Sequence, residues 1–401
     1  MSIPTSPIIS ETKTPPERVQ PAGILPAAAG RLQSLDLFRG VTIAFMILVN
    51  DAGNGNASYW PLKHSHWNGW TPTDLVFPFF LFIVGVSMVF SFSSRLKRGE
   101  SRSHLMLHAV RRAAVLFAIG VFLNGFPDGY HAATIRIEGV LQRIAVCYLL
   151  SAVLVLWSGT RGQLIAAGLC LVGYWVLMRF VPVPGYGVPT HDVPLLDPDR
   201  NLAAWLDRKL LMGHLYEGTR DPEGILSTIP AIATTLIGVL TGQWLRSSAS
   251  AARKAVWMLA FGVVGLAAGE FFNIWFPINK KLWTSSYVLF TGGFALVCLA
   301  FCFWVLDVKK WRGRWTLPAT IFGMNAIAAY VFSEWVAHGL DAWRIHLSNG
   351  QIWSWQHFIY ARLFAPLASP ANASLLYALT YTFICWLVAW LLYRKRIFLK
   401  V

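Results

Sequence analysis

Leu75-Val-Phe-Pro-Phe-Phe-Leu-Phe-Ile-Val-Gly-Val-Ser-Met-Val-Phe-Ser-Phe92 is a continuous apolar run that ends at Arg95, Lys97 and Arg98. A transmembrane helix needs about 20 mostly apolar residues, and basic residues just past its end mark the membrane–water interface. The run therefore predicts a spanning helix, and similar runs recur along the chain. The expected spans cover approximately 35–52, 73–94, 106–125, 138–158, 163–182, 225–245, 254–274, 285–306, 318–340 and 372–393. These runs are continuous rather than alternating, which argues against a spanning β-barrel. The expected fold is all-α, a polytopic integral membrane bundle of about 10 transmembrane helices.

Composition agrees. The 401 residues are 55% hydrophobic and only 13% charged, whereas soluble domains carry about 25% charged residues. A net charge of +15 would suggest nucleic acid in a soluble protein. Here the basic residues gather in short gaps between apolar runs, so membrane lipids are the expected partner and nucleic acid is not. The 19 tryptophans fit aromatic belts at both interfaces. Cys147, Cys170, Cys298, Cys302 and Cys385 all lie in apolar runs and read as packing residues. Cys298 and Cys302 share a helix face without a further ligand nearby, and the histidines lack metal-site spacing, so no metal is expected.

Charge in the gaps sets an orientation. One set holds Arg95, Lys97, Arg98, Arg102, Arg111 and Arg112, then Arg161, then Arg246, Arg253 and Lys254, then Lys309, Lys310, Arg312 and Arg314; the alternate gaps are poorer in net positive charge. The positive-inside bias then puts both termini in the cytoplasm. Residues 1–34 are rich in Pro, Ser and Thr and lack the apolar core of a signal peptide, so a disordered cytoplasmic tail is expected, followed by a membrane domain over 35–401. Residues 183–224 read as an external cap too short for its own core. It contains an amphipathic stretch, 202–211, and the acidic string Glu217, Asp221 and Glu223. No internal repeat of the kind common in transporters is visible.

Between the first two expected helices lies Ser58-Tyr-Trp-Pro-Leu-Lys-His-Ser-His-Trp-Asn-Gly-Trp-Thr-Pro-Thr-Asp74, facing outward. His64 and His66 sit there among Trp60, Trp67 and Trp70, with Asn50 and Asp74 at the loop ends. Histidine is the side chain best suited to moving protons near neutral pH. The bland alternative is a solvated loop whose tryptophans anchor it at the headgroups. Asp74 in Thr71-Pro72-Thr73-Asp74 also reads as part of a helix start, a role compatible with orienting His64. Asn279, Lys280, Trp283 and Ser285 precede another helix on the same side, and Asn325 and Glu334 lie inside one. Asn325 is more simply a helix–helix hydrogen bond. Arg39 follows Asp36 near the start of the first helix. Arg143 falls about one and a half turns below the outer face, where Glu138 or a bound anion could partner it. The Arg95–Arg112 cluster could grip a phosphate, although the positive-inside bias already accounts for it.

Arg31-Leu-Gln-Ser-Leu-Asp-Leu-Phe-Arg-Gly40, Leu48-Val-Asn50, Lys63-His-Ser-His-Trp-Asn-Gly69 and Asp74-Leu-Val-Phe-Pro-Phe79 together resemble the heparan-α-glucosaminide N-acetyltransferase family. Further matching stretches are Gly139-Val-Leu-Gln-Arg143, Pro182-Val-Pro-Gly185, Asp221-Pro-Glu-Gly-Ile-Leu226, Pro277-Ile-Asn-Lys-Lys-Leu-Trp283, Gly323-Met-Asn325 and Tyr393-Arg-Lys-Arg-Ile-Phe398. The resemblance implies transfer of an acetyl group from cytosolic acetyl-CoA across the membrane to a glucosamine amine. It places the active-site histidine at His64, with Asn50 and Asp74 as companions. His64 would serve as general base or as acetyl carrier, Asp74 would fix its tautomer, and Asn50 would donate to the oxyanion, an effect worth about 3 kcal/mol. Arg39, Arg143, Asn279, Lys280 and Trp283 are expected to hold acetyl-CoA; Trp60, Trp67, Asp221 and Glu223 are expected to hold a sugar acceptor. The external segments depart most from the animal members, and the expected location is a bacterial inner membrane, with a homodimer as a further expectation. The competing class is a non-enzymatic transporter of a sugar or lipid-linked sugar.

Overall fold

The computed structural model describes residues 32–127 and 129–399. The expected tail over 1–34 lies outside the described residues except for its last three positions, and Gln33 already opens the first helix. The chain runs through α1 (Gln33–Asn50), α2 (Val76–Lys97), α3 (Arg102–Gly125), α4 (Val140–Trp157) and α5 (Thr160–Phe180). After a long connecting segment carrying α6 (Leu202–Leu211) come α7 (Thr228–Leu245), α8 (Ala251–Asn273) and α9 (Ser285–Phe303). The remainder is α10 (Leu317–Met324), α11 (Ala326–Ala342), a small antiparallel hairpin of β1 (Arg344–His346) and β2 (Ile352–Ser354), α12 (Trp355–Ile359) and α13 (Pro370–Arg394).

Among the described residues, 8 helices are long and apolar enough to cross a membrane, or up to 9 if a bent pair counts as one span. The expectation of about ten changes at two places. α1 forms where expected, but Gln33, Asp36, Arg39 and Asn50 dilute its apolar face, and it is not among the 8. The run expected as one helix over 318–340 is broken by 71° between Met324 and Ala326. At the break Asn325 leaves helical geometry, and its side chain binds the C-terminal segment instead: Nδ2 donates to the Ile397 carbonyl (3.2 Å) and Oδ1 accepts from the Leu399 amide (3.1 Å).

α2 is the central element, its apolar stretch 83% buried, whereas those of α5 and α8 are 22% buried and keep apolar faces outward, as lipid-facing helices do. Water-free packing between such helices depends on close backbone approach at small residues. A Cβ on Gly238 of α7 would lie 2.0 Å from the Phe82 carbonyl oxygen of α2, and one on Gly40 of α1 would lie 1.7 Å from the Ala319 carbonyl oxygen of α10. The segment between α5 and α7 seats Leu196 and Ala203 against Tyr174 and Met178 of α5 and against Phe276 and Leu282 before α9, so a shared apolar cluster fastens it to the bundle.

Gly238→Leu therefore removes the monodisperse folded peak on size-exclusion chromatography in detergent. Gly168→Leu, at an α5 position where a Cβ meets nothing within 4 Å, leaves that peak intact. Retention of the folded peak by Gly238→Leu contradicts the close-approach account.

Candidate active site

The loop between α1 and α2 is built around one carboxylate. Thr71 and Asp74 form a reciprocal capping arrangement at the short turn Pro72–Leu75 that starts α2. Asp74 Oδ2 accepts from the Thr71 amide (2.9 Å), the Thr71 hydroxyl (3.1 Å) and the Ser65 amide (3.0 Å). Its Oδ1 faces His64 Nδ1 at 2.7 Å. The Tyr287 hydroxyl on α9 donates to the Asp74 carbonyl, tying the turn to the core. The Thr71 hydroxyl also reaches the Lys63 carbonyl, and the Gly69 amide donates to the Ile278 carbonyl (2.7 Å). The helix start thus folds back on the residues flanking His64.

The Asp74 side chain is 1% exposed, while that of His64 is 47% exposed. An ionised carboxylate only accepts, so the contact assigns the proton to Nδ1 and leaves Nε2 with its lone pair. Lys280 Nζ lies 3.2 Å from both ring nitrogens of His64. Burial holds the Lys280 ammonium below its ordinary value, and the charges of Glu223 and Asp74 oppose that shift. The two side chains are thus within proton-transfer distance of each other.

His64 and Lys280 open onto a cavity of about 780 Å³. Its opposite wall comes from α1, α11 and α13, with Asn50, Asp51, Glu334, His338, Tyr377 and Tyr381. Asn50 Nδ2 donates to Glu334 Oε1 at 3.0 Å, which leaves its second amide hydrogen for another acceptor. Burial, with the Glu334 charge adding, pushes the Asp51 carboxyl well above the usual range. Above the site, Arg136 grips Asp221 (2.8 and 2.6 Å) and Glu223 (2.6 Å) and lies 4.5 Å over the Tyr216 ring.

The sequence-derived candidates separate into two groups. His64, Asp74, Asn50, Lys280, Trp67 and Glu223 line the cavity, as does His66. The others stand elsewhere. Arg143 is 1% exposed; its Nη2 donates to the Gly224 carbonyl (3.1 Å) and the Ser227 hydroxyl (2.5 Å), and its guanidinium lies 5.1 Å over the Trp283 ring. Trp283 is equally buried between Phe77 and Tyr287 and donates to the Thr234 hydroxyl (3.1 Å). Asn279 is buried, bonding Asn68 Oδ1 (3.1 Å) and the Leu282 amide (2.9 Å) to shape the turn that presents Lys280. Arg39 pairs with Asp36 on α1. Asp221 is committed to Arg136, and Trp60 is 65% exposed outside the cavity lining.

Asp51, His338, Asp341, Tyr377, Tyr381 and Gln356 also line the cavity and are not singled out by the sequence. Glu334 is conspicuous as a carboxylate within an apolar helix, and His338 one turn later was the available signal for this wall. Among the described residues, no cluster of three or more His, Cys, Asp or Glu is placed to hold a metal ion.

The packing of acids around Arg136 and Arg143 has a pH consequence. Burial pushes the Glu138 carboxyl up to about 7, opposed by Arg143 and reinforced by Asp221 and Asp207. Glu138 therefore binds its proton more tightly folded than unfolded, where the ordinary value is about 4.3. The stability it contributes is full below about pH 4 and is lost as pH rises through about 7. Glu138→Gln escapes that loss, so its melting temperature in detergent exceeds the parent's at pH 8 by more than at pH 5. An equal difference at both pH values contradicts the assignment.

A family model described as heparan-alpha-glucosaminide N-acetyltransferase, catalytic, matches residues 31–268. Over 435 aligned residues the chain is 32% identical to heparan-alpha-glucosaminide N-acetyltransferase of Mus musculus, covering 94% of this chain and 61% of that protein. Against the Homo sapiens protein of the same name it is 33% identical over 441 aligned residues, covering 96% of this chain and 62% of that protein. The chain thus spans about three fifths of the length of these relatives. The matched region contains the His64–Asp74 pair and the Arg136–Glu223 cluster, and by this match the chain belongs to the heparan-α-glucosaminide N-acetyltransferase family.

Proposed function

We propose that the chain is an acetyl-CoA-dependent transmembrane N-acetyltransferase that acetylates a glucosamine-like amino sugar on the extracytoplasmic face. The observation that carries this reading is the 2.7 Å His64–Asp74 contact at the wall of the 780 Å³ cavity, in a chain of this family. Asp74 holds the Nδ1 proton and stabilises the imidazolium, so Nε2 is the working atom. It either takes a proton from the acceptor's amine, which then attacks the thioester, or attacks the thioester itself and carries the acetyl group. The second amide hydrogen of Asn50 is available to the developing oxyanion. Lys280, with its ammonium held below its ordinary value, returns a proton to the leaving thiolate. Trp67 lines the cavity and offers its ring to the sugar, flanked by Arg220 at 5.3 Å and Lys281 at 5.9 Å.

The reading fixes a direction. In it, both termini and the 95–112 cluster lie in the cytoplasm of a bacterial inner membrane and the His64 loop outside it, an orientation supported by the positive charge of one set of gaps. The phosphates of acetyl-CoA stay on the basic side, since their transfer through hydrocarbon is prohibitive. Of the residues assigned to the donor, Lys280 stands at the reaction end, and Arg39 lies at the opposite end of α1, where it would meet the nucleotide. Arg143, Asn279 and Trp283 support the wall that presents Lys280 rather than touching the donor.

His64→Ala lowers acetyl transfer by about 100-fold or more, the range for a lost general base, while acetyl-CoA still raises the melting temperature of the purified protein. His66→Ala retains most activity. Full activity in His64→Ala overturns the reading, and an inactive His66→Ala with an active His64→Ala moves the histidine role by two residues. Sidedness is checked by thiol labelling of intact cells: a cysteine replacing Ser65 reacts with an impermeant reagent from outside, and one replacing Ser247 reacts only after permeabilisation. The opposite pattern reverses the direction of transfer.

A further inference from the structure

We propose that Glu334, held by Asn50 and backed by His338, is a second proton acceptor of the cavity, taking the proton that the acceptor's ammonium must shed and passing it to outside water along one face of α11. The inference rests on the transferase reading above and adds a residue pair to it.

The starting point is helix geometry. Glu334, His338 and Asp341 stand four and three residues apart on α11, so they share a face, and all three line the cavity. Exposure rises along this row: the Glu334 side chain is 19% exposed and the His338 side chain 40%, and Asp341 is exposed. Glu334 Oε1 is fixed by Asn50 Nδ2 at 3.0 Å, and its Oε2 lies 3.8 Å from His338 Nε2. That second separation is too long for a direct hydrogen bond and suits a bridging water. His338 Nδ1 and Asp51 Oδ2 are buried atoms without a hydrogen-bond partner among the described residues. Buried polar atoms are almost always paired, so both call for a partner that the described residues do not supply. The wall thus offers two polar atoms to a ligand or water, in a cavity shared with His64 on the other side.

The chemistry requires two proton acceptors. A sugar ammonium must lose one proton before its nitrogen can attack, and the nitrogen loses a second as the amide forms. The carbon–sulfur bond of the thioester breaks, the carbon–nitrogen bond forms, and the thiolate takes up one proton to leave as the thiol. One proton is left over per turnover. His64 accepts the second proton; Lys280, 3.2 Å from its ring, protonates the thiolate and is recharged from His64, which closes their cycle. Glu334 accepts the first, becoming neutral, and loses it through His338 to bulk water.

The closing experiment compares steady-state transfer from acetyl-CoA to glucosamine by the full chain in proteoliposomes. Glu334→Gln keeps an oxygen for the Asn50 amide, so a merely structural glutamate tolerates it. Loss of the proton acceptor lowers kcat by about 100-fold, with the KM for acetyl-CoA and the acetyl-CoA-induced rise in melting temperature unchanged. His338→Ala lowers kcat by about 10-fold, and added imidazole restores it. A Glu334→Gln protein retaining more than half of the parent kcat overturns the proposal, as does a folded His338→Ala protein that imidazole fails to rescue. Should Glu334→Gln not fold, the imidazole rescue alone decides. A parent chain that binds acetyl-CoA yet acetylates no amine overturns the transferase reading and this proposal with it, whereas an active parent with a tolerant Glu334→Gln overturns the proposal alone.

Discussion

The Asp74 carboxylate is a buried charge whose cost is met by the groups that surround it. A carboxylate removed from water is tolerated only when its lone pairs are satisfied, and Asp74 receives the Ser65 amide, the Thr71 amide, the Thr71 hydroxyl and His64 Nδ1. Two of these donors belong to the start of α2 and two to the loop, so the same ion both nucleates the helix and fixes the loop that precedes it. The Tyr287 hydroxyl then ties the backbone of Asp74 to α9. Because α2 is the most buried of the 8 long apolar helices among the described residues, the imidazole is referenced to a helix packed on nearly all sides. An imidazole held on a mobile loop would lose the positional restraint that proton transfer requires.

Charge balance in the cavity supplies a second constraint. Asp51, Asp74, Glu217, Glu223, Glu334 and Asp341 line it against Arg136, Lys280 and Lys281. Arg136 is spent on Asp221 and Glu223, and Lys281 on Glu217 (2.8 Å). The wall formed by Asp51, Glu334 and Asp341 has no lysine or arginine among the cavity residues from α1, α11 and α13. Burial disfavours charge on this wall, and Asp51 in particular is held toward its neutral form.

The sequence carries the helices and the nucleus of the site, for reasons visible in particular residues. Apolar runs bounded by Arg and Lys declare the spans, and Thr71-Pro72-Thr73-Asp74 declares the helix start that carries the carboxylate ten residues beyond His64. Partners from distant segments are not legible in the same way. The depth of Arg143 along α4 can be read from spacing, but its stacking on Trp283 and its bonds to Gly224 and Ser227 require the fold. Asp221 and Glu223 look like a free acidic string until Arg136, in a different loop, takes both. The break at Asn325 is hidden because the residues on either side are apolar and helix-compatible. What ends the helix there is an amide turned to the chain's last residues, a tertiary contact that no local pattern encodes.

The aromatic layer beneath the site limits how a donor can reach His64 under the proposed function. Phe77 and Trp283 meet edge to face at 5.0 Å, Trp283 and Tyr287 at 5.3 Å, and Arg143 covers the Trp283 ring at 5.1 Å. Trp283 is held further by Thr234 of α7. Each ring in this layer is closely packed, and rearranging it would expose the Arg143 charge to hydrocarbon, so the α2–α7–α9 side is closed to a flexible arm. The opposite side presents α1, α11 and α13, where the wall is made of Asn50, Glu334 and the stacked rings of Tyr377 and Tyr381, 6.4 Å apart. That side also contains the helix break at Asn325, where α10 and α11 part by 71°. A pantetheine arm rising from the cytoplasmic side would run along this wall and deliver its thioester between Asn50 and His64, with the proton-accepting face of α11 beside it.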